Sequence, residues 1–331
     1  MTQAADYSAQ RLTVDGVEVI RLANAATETQ VLIAPSFGNN SYEMTVRGKR
    51  VFWTPVKTLG ELQARPTFAG NPFLAPWANR LDQDAFHANG RKYVLNPELR
   101  NFRRDPNGKP IHGLLAYAKE WQVMRLTANE EGAEVTSRLE FERYPGYAAQ
   151  FPFAHTIEMT YRLKGTTLEV ATMIENRSAE PMPVAIGYHP YFQVNDAPRD
   201  EWSVHVAARE QVVLSNLLIP TGERKPVEFP EWNQLAGRQF DDVFTALVRD
   251  ERGLATFKLR GKSEEVHVVY GPKYPVAVVY APPGRGFVCF EPMTAPTNAL
   301  NLAQAGLYKD LQSIAPGGRW TESFWISARN F

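Results

Sequence analysis

YPVAVVYAPPGRGFVCFEPMTAPTNALN, residues 274–301, is the stretch on which the fold reading turns. Two apolar runs of strand length, YPVAVVYA (274–281) and GFVCFE (286–291), flank PPGR, whose proline and glycine mark a tight connection. Together they read as an antiparallel hairpin with both strands buried. Glu291 closes the second strand, with Pro292 directly behind it. A carboxylate at the end of an apolar strand is expensive to bury and asks for a reason.

The same signal recurs along the chain. VEVIRL (17–22), TQVLIA (29–34), WQVMRLT (121–127), EVTSRLEF (134–141), HTIEMTYRL (155–163) and TLEVATMIE (167–175) alternate or run apolar over strand-length windows, as do WSVHVA (202–207), LATFKLR (254–260), EEVHVVY (264–270) and RWTESFWIS (319–327). Helical periodicity is scarce. With 24 prolines and 22 glycines punctuating these runs, the pattern is that of an all-β protein built as a large antiparallel β-sandwich. The loop-like stretches 181–198 and 221–240 have strands of the same character on either side, so residues 1–331 are expected to form one domain, with about 1–10 frayed.

Composition narrows the partners. The 331 residues are 44% hydrophobic, and 36 basic side chains balance 36 acidic ones, so no net field draws nucleic acid or an anionic membrane. A single cysteine, Cys289, excludes an intramolecular disulfide and a thiolate cluster and fits a reducing compartment. No apolar run approaches the roughly 18 residues of a membrane span, and MTQAADYSAQ lacks a signal-peptide core. The expectation is a soluble, cytoplasmic protein whose partner is small or neutral. There is no G-x-G-x-x-G and no Walker loop, and the histidines at 87, 112, 155, 189, 205 and 267 show no metal-ligand spacing; neither cofactor nor metal is expected.

Four segments place functional groups beside turns. NPFLAPWANRL (71–81) ends on Asn79 and Arg80, PIHGLL (110–115) sets His112 before a glycine, MPVAIGYHPYF (182–192) carries His189 before Pro190, and the opening stretch carries Glu291. Proline holds the preceding residue extended and cannot continue a central ladder, so His189 and Glu291 read as strand-end groups facing a cleft.

These four segments, in this order and at long intervals, resemble the aldose 1-epimerase (galactose mutarotase) family over nearly the whole chain. The resemblance implies a β-supersandwich, no cofactor, and interconversion of the α and β anomers of a free aldohexose through the open-chain aldehyde. It implies Glu291 as the base that takes the anomeric hydroxyl proton and His189 as the acid that protonates the ring oxygen. Arg80 and His112 then grip the sugar with Asn79 beside them, and Asp241 in FDDVF (240–244) binds its hydroxyls, although a shift of one would exchange it for Asp242. On this reading desolvation at the apolar strand raises the Glu291 pKa, Arg80 beside it favours the ionised form, and His189 carries its proton near neutrality. Trp77, Tyr191 and Phe192 could offer a ring face, though aromatics beside strands are more often core. ELRNFRRDPNGK (98–109) reads as a solvated loop. Its Arg100, Arg103 and Arg104 would mark a hexose-phosphate 1-epimerase, and the expectation is that they are not phosphate ligands. A non-catalytic sugar-binding protein and a glycoside hydrolase using Glu291 with Asp241 are the rivals outside this chemistry. Oligomeric state is not legible.

Overall fold

The computed structural model describes residues 6–331. Three antiparallel sheets carry the chain. The first is a five-stranded meander in sequence order, from Tyr7–Val14 through Val17–Asn24, Thr29–Ala34 and Asn40–Val46 to Lys49–Arg50. Of the ten residues expected to fray, 1–5 lie outside the described residues, whereas Tyr7 onward is strand, paired with Val17–Asn24 along its length. The reason is the turn: Asp15 and Gly16 link the strands with φ of 51° and 78°, the left-handed pair that a two-residue hairpin requires.

The other two sheets face each other. A nine-stranded sheet runs Gln122–Asn129, Gly132–Glu140, His155–Lys164, Thr167–Asn176 and Arg319–Arg329, then Glu265–Tyr270, Ala255–Arg260, Ser203–His205 and Asn233–Gln234. An eight-stranded sheet has at its centre Phe240–Leu247, Val276–Ala281 and Val288–Met293. Their inner faces share one core. Tyr188 meets Phe324 with ring centres 4.8 Å apart and Phe257 meets Phe290 at 5.9 Å. Each such ring removed from water contributes roughly 1.5–3 kcal/mol.

The polar stretch 221–240 hides a strand. Pro220–Pro226 pairs with Ala208–Leu214 at the edge of the eight-stranded sheet, where charged residues and terminal prolines are what an edge tolerates. Likewise, 181–198 contains Met182–Val184, Gly187–Tyr188 and Tyr191–Phe192. Helices are brief: Leu59–Ala64, Pro145–Gln150 and Ala299–Gln304 have six residues each. Among the described residues no helix is long and apolar enough to cross a membrane.

Candidate active site

Glu291 does not end its strand. Val288–Met293 continues through Pro292, and Glu291 lies opposite Val278 of the neighbouring strand. On the other side the ladder is interrupted: Gly187 pairs with Met293 and Tyr191 with Cys289, while His189 between them turns its N–H to the Pro72 carbonyl, 3.0 Å away. An interrupted ladder is where a proline costs least, so Pro190 and Pro292 both sit here. The flanking register sets His189 opposite Glu291. Its Nε2 lies 3.2 Å from Glu291 Oε1.

Strand alternation decides which groups accompany Glu291. Val288 and Phe290 point into the main core, whereas Cys289, Glu291 and Met293 point the other way, over a floor made with Val276, Val278 and Val243. Tyr191 stacks on the His189 ring with centres 4.7 Å apart and planes 12° from parallel, which fixes the imidazole.

A second wall comes from the two earlier segments. His112 donates its backbone N–H to the Asn79 carbonyl at 2.9 Å, and the Asn79 N–H is directed to His112 Nδ1 at 3.3 Å. That contact makes Nδ1 the acceptor and leaves Nε2 as the donor of this ring. Both residues have left-handed backbones, with φ of 56° and 63°, a conformation that places them as single residues rather than in a ladder. Gly113 completes the turn at φ 63°; a Cβ there would fall 2.2 Å from the Ala75 carbonyl oxygen, so the HG pair is dictated sterically. Asn79 Oδ1 accepts from the backbone and Nη1 of Arg80, leaving its amide nitrogen for a ligand.

Arg80 is held by a residue the sequence reading assigned to a solvated loop. Its Nε donates to Asp105 Oδ2 at 2.7 Å, and both side chains are largely buried. Burial works to raise the Asp105 pKa, but the Arg80 bond and the Lys109 and Asn107 backbone N–H groups outweigh it and hold the carboxyl below its usual range. Arg80 thus makes its direct contact with Asp105, while from the same cavity its charge acts on Glu291 in the direction expected. Nothing in RRDPNGK distinguishes this aspartate from a surface one until the chain is folded. Of its neighbours, Arg104 forms a two-pronged pair with Asp84 at 2.7 and 2.8 Å, and Arg103 lies over the Phe68 ring, 4.4 Å from its centre, with Nη1 directed to the Tyr117 hydroxyl.

The two aspartates separate cleanly. Asp241 lines the same cavity as His112, His189 and Glu291, and Asp242 accepts from Gln211 Nε2. Asp241 is open to solvent filling the cavity yet surrounded by protein, and its pKa is raised by burial against the pull of Arg80. The cavity measures about 490 Å³, the scale of a small-molecule site. Its rim includes Leu218, another left-handed residue at φ 58°. Among the three candidate aromatics, Trp77 and Phe192 are core and Tyr191 lines the cavity. Phe68, in an irregular stretch that carried no signal, stands 5.2 Å from the His112 ring and 5.4 Å from that of His189.

Burial moves Glu291 in the direction expected of a desolvated carboxyl and moves His189 against expectation. It pushes Glu291 well above the usual carboxylate range, with the Asp241 charge adding and Arg80 opposing. It lowers His189 to about 3, a backbone hydrogen bond opposing and the Arg103 charge adding. His112 falls well below its usual value through burial, with His189, Arg103 and Arg80 all in the same direction. Burial thus acts against the charged form of both members of the pair. Histidine spacing gave no ligand set, yet the fold brings His189, Cys289 and Glu291 together, with donor atoms all within 4.8 Å of one another.

The sequence model of a family described as aldose 1-epimerase matches residues 43–327. A curated protein of Escherichia coli K12, the uncharacterized YphB, is 26% identical over 151 residues, which cover 45% of this chain and 46% of that protein, so the match spans about half of the relative's length. Among solved structures, a galactose mutarotase-like protein of Clostridium acetobutylicum superposes with a TM-score of 0.87 at 21% identity, covering 98% of this chain and 99% of that one. Galactose 1-epimerase of Lactobacillus acidophilus superposes with a TM-score of 0.74 at 12% identity, covering 98% and 99%. At these identities the likeness to solved structures shows the fold alone.

Proposed function

The chain belongs to the aldose 1-epimerase family, and from that premise we propose that it interconverts the α and β anomers of a free aldohexose, with Glu291 as base and His189 as acid. The 3.2 Å approach of His189 Nε2 to Glu291 Oε1 at the cavity floor carries this reading. Ring opening must take a proton from O1 and give one to O5, and both oxygens are bonded to the same carbon. The two catalytic groups must therefore be close neighbours, as these are.

The protons balance within the pair. Starting from the carboxylate and the imidazolium, Glu291 accepts the O1 proton, the C1–O5 bond breaks, and His189 Nε2 gives its proton to O5. The open-chain aldehyde then faces a protonated carboxyl and a neutral imidazole, the forms that burial favours. Rotation about C1–C2 presents the other carbonyl face, O5 closes on it, and the same protons return. Burial sets the charged pair above the neutral one, so the bound sugar has to stabilise the carboxylate and imidazolium before the step that neutralises them. Two positioned proton-transfer groups supply roughly 100-fold to 10,000-fold each.

Asn79, Arg80, His112 and Asp241 act as the sugar's hydrogen-bonding partners. His112 Nε2 donates, Asp241 accepts, and Asp105 keeps the Arg80 fork in place. The whole chain, 1–331, is taken as one functional domain. Its single buried cysteine fits a reducing, cytoplasmic setting.

One observation favours a second reading, a hexose-phosphate 1-epimerase. Among the described cavity-lining residues, Arg103 is a guanidinium without a carboxylate partner, although Arg104 is neutralised by Asp84. Polarimetry of freshly dissolved α-glucose, α-galactose and α-glucose 6-phosphate tests both. Acceleration of a free sugar that is lost in Glu291→Gln supports the main reading. A rate on glucose 6-phosphate far above that on glucose would replace it. No acceleration of any of the three, with sugar still bound, would leave a binding protein.

A further inference from the structure

Cys289 and Glu291 are two residues apart on one strand, so alternation points both side chains to the same face. His189 joins them across the interrupted ladder, and one donor atom from each of the three lies within 4.8 Å of the others. All three residues are buried, and Glu291 Oε2 has no hydrogen-bond partner in its surroundings. A buried carboxylate oxygen without a partner is unspent coordinating capacity.

The donor set is sulfur, imidazole nitrogen and one carboxylate. It is poor for Mg²⁺ and Ca²⁺, which take oxygen shells, and suits a thiophilic divalent ion. Around tetrahedral Zn²⁺, with bonds of about 2.0–2.3 Å, donor atoms stand about 3.3–3.8 Å apart. His189 Nε2 and Glu291 Oε1 are already at 3.2 Å. The sulfur needs about 1 Å of side-chain adjustment, within the reach of a χ1 change. His189 and Glu291 line the cavity and Cys289 lies beneath them, so a fourth ligand would come from the cavity side. Asp241 favours a cation here, and Arg80 and Arg103 oppose one.

We propose that His189, Cys289 and Glu291 form a binding site for one thiophilic divalent cation, which occupies the cavity floor in place of the sugar. On binding, the thiol proton and any proton on Glu291 leave to solvent, and the ion ties up both groups assigned to proton transfer. Exclusion of sugar rests on the mutarotase reading. The metal site does not.

Co²⁺ titration of the full chain, followed by absorption, is the first test. The expected result is a thiolate-to-cobalt charge-transfer band that saturates at one ion per chain and is displaced by Zn²⁺. In Cys289→Ser the band is absent and Zn²⁺ affinity falls at least tenfold. A parent without the band at saturating Co²⁺, or a variant that binds Zn²⁺ as tightly as the parent, overturns the site. Should Cys289→Ser fail to fold, the parent's band decides alone. In the second arm Zn²⁺ slows anomer exchange, sugar competes with it, and a chelator restores the rate. Zn²⁺ that binds without slowing exchange overturns the exclusion. The absorption arm needs no turnover, so an inactive parent with an intact band counts against mutarotation and not against the metal site.

Discussion

The strand Val288–Met293 has two faces with equal burial and opposite energetics. Val288 and Phe290, on one face, are fully buried among the side chains of both large sheets. Glu291, on the other, is 1% exposed, and burial there works against its charge. One face stabilises the fold, and the other stores a cost that the fold must over-determine. What holds the second face in place is largely the first. The carboxyl sits in the middle of the sheet, on a strand held by its pairing with Val276–Ala281 on one side although the ladder on the other is interrupted at His189.

Changing one residue on each face breaks this comparison most directly. Glu291→Gln is expected to lower turnover by about 100-fold to 10,000-fold while Tm does not fall, because the amide keeps the shape and removes the ionisable group. A large drop in Tm would mean that the carboxyl is structural. Phe290→Ala is expected to cost about 3–5 kcal/mol of stability in denaturant titration, the range for deleting a buried ring. The fraction that remains folded keeps its specific activity. Loss of activity without loss of stability would put Phe290 in the site.

The buried pair gives opposite signatures in pH. Glu291 has a raised pKa in the fold, so its protonation adds stability that is fully present below the usual carboxylate value and is lost as pH rises through the folded value. Relative to Glu291→Gln, the parent should therefore lose stability as pH rises from about 4.5. His189 is lowered to about 3, so its contribution is full above the ordinary histidine value of 6.5 and is lost as pH falls toward 3. His189→Asn should accordingly flatten the acid side of the stability profile, measured as Tm against pH. If both variants shifted the same side, the two residues would not have the protonation states assigned here. The smallest effect sharpens the site's boundary. Arg104→Ala removes a half-exposed pair with Asp84 and should change stability by less than about 1 kcal/mol and leave kcat/KM for glucose unaltered.

Much of the fold was legible because its signal is local. Alternation and turn residues announced the hairpin 274–291 and ten further strands, and both prolines beside His189 and Glu291 were visible as interruptions. Where local chemistry was ambiguous, the reading failed. TGERKP is a polar run that happens to be an edge strand, and the strand opening at Tyr7 depends on the Asp15-Gly16 turn. The site was half legible. His112, His189 and Glu291 stand beside glycine or proline for backbone reasons that leave a mark in sequence. Asp105, Phe68 and Tyr280 carry no such mark, since what makes them part of the cavity is a neighbour far along the chain.

By itself the sequence determined the all-β class and the family to which the order of its motifs belongs, and it nominated His189 and Glu291 as candidates. Only the tertiary structure decided that Glu291 lies within its strand, that Arg80 answers to Asp105, and that Asp241 rather than Asp242 faces the cavity. The direction in which burial moves each pKa was decided there too. Periodicity is a property of neighbours along the chain, whereas partners, burial and pKa are set by atoms that only folding brings within a few ångströms.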